Sequence, residues 1–180
     1  MNSFDITADF FHQQIEHISL AADSVAEMAD TAAPAIAGAM MAERKVYSIG
    51  AGVDANLANT FCHLIREGLG GERPSLPIIP LTSNATEPLD AAAHWLAREI
   101  RTLGHPGDVA LIWGSQLTPA GVDSLHSALA QRDVTSFWIG IASASHSLPF
   151  AESSAAVRLG LCSMTAVAMA RVVESVLFDH

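Results

Sequence analysis

The chain has 180 residues, of which 50% are hydrophobic and 16% are charged. This composition excludes a disordered chain, because enough apolar surface is available to offset the entropy lost on folding. Nine basic residues against nineteen acidic ones give a formal net charge of −10, which argues against direct binding to nucleic acid.

The first 44 residues are predicted to form a helical arm. Apolar residues recur there at helical spacing, namely Phe4, Phe11, Ile15, Ile18, Ala22, Val25 and Met28. Pro34 predicts a break or a kink before a second helical segment over residues 35–43. An amphipathic arm of this kind packs either on its own sheet or on a second subunit. The predicted organisation is therefore an arm over 1–44 and one domain over 45–180.

After Arg44 the pattern predicts strands that alternate with helices. Strands are predicted at 46–50, 77–81, 108–113 and 134–141, with a fifth at 155–159; helices are predicted at 55–67, 88–103, 119–131 and 163–178. The strands are almost entirely apolar, as expected when both faces of a parallel sheet are covered. The predicted fold is α/β: a three-layer αβα sandwich, flavodoxin-like, with a parallel sheet of four or five strands and an N-terminal helical arm.

Targeting and membrane signals are lacking in the sequence pattern. The most apolar stretch, residues 159–170, is too short to cross a bilayer. The first eleven residues carry Asp5 and Asp9 and no basic residue, unlike a signal peptide. Cys62 and Cys162 form neither a CxxC pair nor a disulfide framework. We therefore expect a cytoplasmic protein with reduced thiols and no contact with a membrane.

Three loops follow predicted strands, at the edge where open α/β sheets bind ligands. In the first, Gly50 and Gly52 allow close approach of the backbone, and the following helix N-terminus favours an anion. A plain tight turn capped by Asp54 explains the same residues, and Asp54 would repel a phosphate. The other two loops, 113–118 and 81–84, offer hydroxyl and amide groups, although Thr118 could simply cap its helix. The candidate ligand-binding residues are Gly50, Gly52, Asp54, Ser83, Asn84, Ser115, Gln116 and Thr118.

Three segments carry a resemblance to a known family. Residues 72–77, Glu-Arg-Pro-Ser-Leu-Pro, and the apolar run after them resemble the ERPSLPAIAL run of the phosphoheptose isomerase group of SIS (sugar isomerase) domains. Residues 46–60 are similar to the group's strand–GNGxSAADAQH–helix pattern, and residues 103–109 to its LGxxGDV segment. Within the group, the chain looks most like the DnaA initiator-associating family. The last helix of that family closes with LFPH, where this chain has Leu177-Phe178-Asp179-His180.

The resemblance also shows which family residues are replaced. The carboxylate expected as proton-transfer base falls on Leu64, the expected histidine on Cys162 and the loop serine on Asp54. The STSGNS phosphate loop is one residue shorter at 114–118. Aldose–ketose isomerisation needs a base near carbon and an acid near oxygen, so we expect no catalytic residue. The eight histidines show no HxH, HExxH or HxxxH spacing, so we expect no metal site. No cofactor is expected. His63 or Glu67 would rescue catalysis only in a shifted register.

Two functions stay open on this basis. The first is a non-catalytic scaffold, because the resemblance implies a homotetramer that binds the N-terminal domain of the replication initiator DnaA and so regulates initiation of chromosome replication. The resemblance implies that Leu177 and Phe178 contact this partner. The alternative is that both side chains simply pack the helix end onto the sheet. The alternative is a phosphosugar-binding protein or a sedoheptulose 7-phosphate isomerase-like enzyme. A homo-oligomer is expected in either case, with a tetramer favoured over a dimer.

Overall fold

The computed structural model describes residues 2–69, 73–83, 89–143, 146–150 and 154–178. From residue 46 to residue 139, strands and helices alternate as the sequence predicts. The elements in chain order are α1 (Ser3–Met41), β1 (Val46–Ala51), α2 (Val53–Glu67), β2 (Ile79–Ser83), α3 (Leu89–Leu103), β3 (Val109–Trp113), α4 (Pro119–Gln131), β4 (Thr135–Ile139), β5 (Ser147–Leu148) and α5 (Ala155–Phe178).

The five strands form one parallel sheet in the order β2-β1-β3-β4-β5. β1 lies between β2 and β3, and its Gly50 is in register with Thr82 on one side and Trp113 on the other. The carboxyl ends of these three strands therefore meet at one edge. This register brings the loop after β1 next to the loop after β3.

Alternate residues of each strand pack into two separate cores, one on each face of the sheet. Tyr47, Ile49 and Ala51 of β1 face a core shared with α3 and α4. Val46 of β1 and Trp113 of β3 face a core shared with α1, α2 and α5. The result is three layers, helices on both sides of a parallel sheet, and the predicted fold class is confirmed.

The predicted break at Pro34 is wrong, because α1 runs without interruption for 39 residues. Pro34 is exposed, so its ring meets solvent, while Ala32, Ala33 and Ile36 around it are buried. Burial on both sides of the proline holds the helix together despite the lost hydrogen bond. The helix begins with a capping box, in which Asn2 and Asp5 each accept a hydrogen bond from the other's backbone N–H.

The predicted strand at 155–159 is also wrong, because these residues form the first turns of α5. The Ser154 hydroxyl accepts a hydrogen bond from the backbone N–H of Val157 at 3.3 Å, a typical helix N-cap. The fifth strand lies earlier, at Ser147–Leu148, where it pairs with β4. A run of small and apolar residues does not distinguish a strand from a buried helix, and here the cap decides.

Helix α5 has 24 residues and extends beyond the apolar stretch 159–170 at both ends. The expectation that the chain has no membrane-spanning helix was based on that shorter stretch. Within the described part of the chain, it is the one helix that is long and apolar enough to cross a membrane. Central helices of soluble folds often meet the same criterion. Eight residues of α5 are buried in this structure, among them Leu161, Met169 and Val173, which belong to the core shared with α1 and α2.

Candidate site at the carboxyl edge of the sheet

The loop between β1 and α2 is unusually tight. A Cβ on Gly50 would overlap the backbone carbonyl of Asp54 and would lie 2.9 Å from the amide nitrogen of Ala55. Gly52 has φ +61°, a conformation that glycine adopts at little cost. Gly52 is the N-cap residue of α2, with no side-chain cap, so Asp54 lies inside the first helical turn. Its carboxylate is therefore available for another contact.

That contact is with the loop after β3. The Asp54 carboxylate accepts a hydrogen bond from the Ser115 hydroxyl at 2.6 Å and another from the backbone N–H of Gln116 at 3.0 Å. Asp54 is 1% exposed, so these bonds are shielded from water. The hydroxyl and the amide that could bind an anionic ligand are thus occupied by a carboxylate of the chain itself.

Burial raises the pKa of Asp54 above its ordinary value, and this effect outweighs the hydrogen bonds from Ser115 and Gln116, which lower it. The positive charge of Arg158 also lowers the pKa of this carboxyl. Arg158 stands in the first turns of α5 and donates a hydrogen bond to the Ser115 backbone carbonyl at 3.1 Å. The sequence reasoning missed Arg158 because it placed a strand there, although Ser154 was a signal for a helix start.

The other candidate residues are placed differently. Thr118 caps α4 by accepting a hydrogen bond from the Gly121 N–H at 3.1 Å, and its hydroxyl donates to Asp90. Ser83 is buried at the end of β2, in register with Ala51. Asn84 lies outside the described residues. Of the eight candidates, the structure joins Asp54, Ser115 and Gln116 by hydrogen bonds. Gly52 also lies close to Gln116, because a Cβ on Gly52 would be 3.2 Å from the side-chain oxygen of Gln116.

The two positions where the resemblance implies an acid–base pair hold a leucine and a cysteine. Leu64 is half-buried in α2 and packs on the core. Cys162 is buried, and that burial together with the nearby Asp54 raises the pKa of its thiol to about 12, so the thiol stays protonated near neutral pH. His63 is exposed on α2, and Glu67 is exposed at its end. Among the described residues, no three His, Cys, Asp or Glu side chains come together as a possible metal site.

A second cluster joins the arginine of the 72–77 segment to the end of α5. Arg73 forms an ion pair with Glu174 at 2.7 Å and donates to the carbonyl oxygens of Leu64 and Ile65 near the end of α2. Its guanidinium also lies 5.6 Å from the centre of the Phe178 ring, within the range of a cation–π contact. Phe178 and Leu177 are both half-buried, and Leu177 packs against the core. Neither side chain projects freely into solvent.

The three-layer fold is shared with solved structures of known proteins. A phosphoheptose isomerase from Francisella tularensis superposes with a TM-score of 0.81 at 17% identity, covering 97% of this chain and 100% of that one. The isomerase GmhA from Neisseria gonorrhoeae gives 0.78 at 18% identity, covering 97% and 100%. HobA from Helicobacter pylori gives 0.55 at 15% identity, covering 99% and 96%.

Sequence comparison gives the family. The phosphoheptose isomerase of Halorhodospira halophila is 31% identical over 137 residues, which cover 73% of this chain and 69% of that protein. A second phosphoheptose isomerase, from Alkalilimnicola ehrlichii, is 28% identical over 137 residues, covering 73% and 70%. No family model matches the chain. The chain belongs to the phosphoheptose isomerase group of SIS proteins, and the predicted resemblance is confirmed.

Proposed function

We propose that this chain is a non-catalytic member of its family that acts as an oligomeric scaffold. The observation that carries the proposal is the Asp54 carboxylate, which takes the hydrogen bonds of Ser115 and Gln116. A phosphate brought to the same donors would have to displace a buried carboxylate and would be repelled by its charge. The residues of the loop that could hold a substrate anion instead hold the fold together.

The acid–base positions support the same proposal. Leu64 has no group that can exchange a proton, and the Cys162 thiol is a poor acid or base while burial holds its pKa so high. His63 is not a ready substitute, because neighbouring residues on a helix point about 100° apart. Its side chain is exposed, whereas that of Cys62 beside it is buried.

We expect the purified chain to lack phosphoheptose isomerase activity. Without a base at Leu64 and with a protonated thiol at Cys162, the proton transfer between adjacent carbons has no catalyst. The measurement is conversion of sedoheptulose 7-phosphate, alone and with added divalent metal, with a family isomerase as positive control. Turnover that is lost in His63→Ala or Cys162→Ala would refute the non-catalytic proposal and identify the residue responsible.

The protein partner proposed for the scaffold is the replication initiator DnaA, as the resemblance to the initiator-associating family implies. The net charge of −10 would repel DNA and is compatible with binding to a DNA-binding protein. Several copies of one surface on a symmetric assembly would raise the effective concentration of the bound initiators. Mixing the purified chain with DnaA should give co-migration on size-exclusion chromatography, and separate elution would count against this partner.

Phe178→Ala separates a binding role from a packing role at the end of α5. Loss of the cation–π contact with Arg73 should lower the free energy of unfolding by about 1 kcal/mol, since the ring is only half-buried. If the ring is also an anchor for the partner, the affinity for DnaA should fall by about 2 kcal/mol or more. Thermal unfolding and a binding titration measure the two effects. Glu174→Gln, which weakens the ion pair of Arg73 and keeps the ring, is the matched control.

A further inference from the structure

The chain contains a single lysine, Lys45, in the connection between α1 and β1. It lies beside Asp108 at the amino edge of the sheet, because β1 and β3 are neighbours and Val46 pairs with Val109. The Lys45 side chain is 38% exposed, so a reagent in solution can reach its ammonium group. This edge of the sheet is opposite the one that holds Asp54.

The ammonium group of Lys45 is held by two groups at the end of α3. Its Nζ donates to the Leu103 carbonyl oxygen at 2.7 Å and lies 2.9 Å from Nδ1 of His105. The Tyr47 hydroxyl donates to the same carbonyl at 3.0 Å, closer than its 3.4 Å contact with Asp108. These two donors fill the two lone pairs of the carbonyl oxygen. Nδ1 of His105 therefore accepts a hydrogen bond from Lys45, although it also lies 2.9 Å from that oxygen.

The neighbouring carboxylate of Asp108 is bound mainly by backbone groups. It is buried and accepts hydrogen bonds from the backbone N–H groups of Lys45 and His105, each at 2.9 Å. Nζ of Lys45 is 3.8 Å away, beyond hydrogen-bond distance. Loss of the lysine charge would leave Asp108 with both backbone donors. The fold can therefore tolerate a chemical change at Nζ without an unpaired buried carboxylate.

Two arginines lie against the loop 104–107, which follows α3. Nε of Arg132 donates to the Gly104 carbonyl oxygen at 2.7 Å. A Cβ on Gly107 would lie 3.5 Å from Nε of Arg44, which places this second side chain at the other end of the loop. Their positive charges favour an anionic reagent. An amine, an adjacent imidazole base and two guanidinium groups together suit attack on an acyl group that is bonded to phosphate.

We propose that Lys45 is a site of covalent acylation by an acyl phosphate, with His105 as the general base. The ammonium group gives one proton to Nδ1 of His105, which later releases it to water. The neutral amine attacks the acyl carbon, and the N–C bond forms as the C–O bond to phosphate breaks. The phosphate leaves with the electron pair and the second proton of the amine. The product is an amide at Nζ, which keeps one N–H that can donate to the Leu103 carbonyl.

Acetyl phosphate and the purified full chain test this directly. Because the chain has one lysine, peptide mass spectrometry distinguishes acetylation at Lys45 from acetylation at the α-amino group, which serves as the internal reference. Relative to that reference, Lys45 should react faster in the native chain than in the chain unfolded in guanidinium chloride. His105→Gln keeps an acceptor for the ammonium group but removes the base, so it should lower the Lys45 rate about tenfold or more. His12→Ala, at an exposed histidine of α1, is the matched control and should keep the parent rate.

The ratio of the Lys45 rate to the α-amino rate is the readout. A native ratio above the unfolded ratio, with a lower ratio in His105→Gln, supports the proposal. A native ratio at or below the unfolded ratio, or an equal ratio in His105→Gln, overturns it. If His105→Gln does not fold, the comparison of native and unfolded parent chain decides the proposal by itself.

Arg44→Gln tests the chemical class of the acyl donor. Loss of one positive charge beside the loop should lower the Lys45 ratio with acetyl phosphate about threefold. An unchanged ratio would overturn the assignment of an acyl phosphate as donor. None of these measurements depends on the oligomeric state or on DnaA, so their outcome is independent of the proposed function.

Discussion

Gly50→Ala should prevent stable folding or lower the free energy of unfolding by roughly 3 kcal/mol or more. The added Cβ would overlap the Asp54 carbonyl and lie 2.9 Å from the Ala55 nitrogen. Both are backbone atoms of the first turn of α2, so no side-chain rotation relieves the clash. Gly50 is also hydrogen-bonded into the sheet between β2 and β3, which prevents it from moving away.

Gly38→Ala is the matched control for this prediction. A Cβ at Gly38 would meet no atom within 4 Å, and the residue lies inside α1. Alanine is the better helix former, so this change should raise the free energy of unfolding by about 0.5–1 kcal/mol. Chemical denaturation of the two variants and the parent measures both effects. Equal stability of Gly50→Ala and the parent would mean that the loop after β1 is looser than described.

The general fold could be predicted from the sequence because its strongest signals are local. Apolar runs such as 108–113 alternate with helical segments, and Pro119 at the start of α4 marks a helix boundary that the structure reproduces. One error arose where tertiary packing outweighs a local signal, and the other where a local signal, a helix cap, was overlooked. Burial of Ala32, Ala33 and Ile36 keeps α1 helical on both sides of Pro34. The Ser154 hydroxyl caps the start of α5, so the apolar residues after it form a helix.

The site was harder to predict than the fold, because its chemistry depends on contacts between distant segments. The residue types in the two loops were visible in the sequence, and the repulsion between Asp54 and a phosphate was foreseen. The sequence did not indicate that the Asp54 carboxylate would reach the Ser115 hydroxyl and the Gln116 amide, 61 and 62 residues further along the chain. Such pairing follows from the strand order, which sets β1 beside β3.

Asp54→Ser should give the chain an affinity for phosphate that the parent lacks. The substitution removes a negative charge from beside the donors of the β3–α4 loop and introduces the serine that the resemblance implies for the isomerase group. Two unit charges about 4 Å apart repel by about 4 kcal/mol near a protein surface, so phosphate should bind roughly a thousandfold more tightly. The freed Ser115 hydroxyl, the Gln116 N–H and the charge of Arg158 would supply the binding energy.

The same change should also destabilise the fold in the absence of phosphate. Two buried donors lose a charged acceptor, which costs about 1.5–3 kcal/mol for each hydrogen bond before water replaces it. Added phosphate should therefore raise the unfolding midpoint of Asp54→Ser, because a ligand that binds the folded chain and not the unfolded chain stabilises the fold. The midpoint of the parent, which is expected not to bind phosphate, should stay unchanged. Thermal unfolding across a phosphate series at constant ionic strength provides the measurement. The double variant Asp54→Ser/Ser115→Ala is the control, because it frees the site and removes a donor, so most of the gain should vanish. A parent chain stabilised by phosphate as strongly as Asp54→Ser would show that the carboxylate does not block the site, and would favour a phosphosugar-binding function over the scaffold.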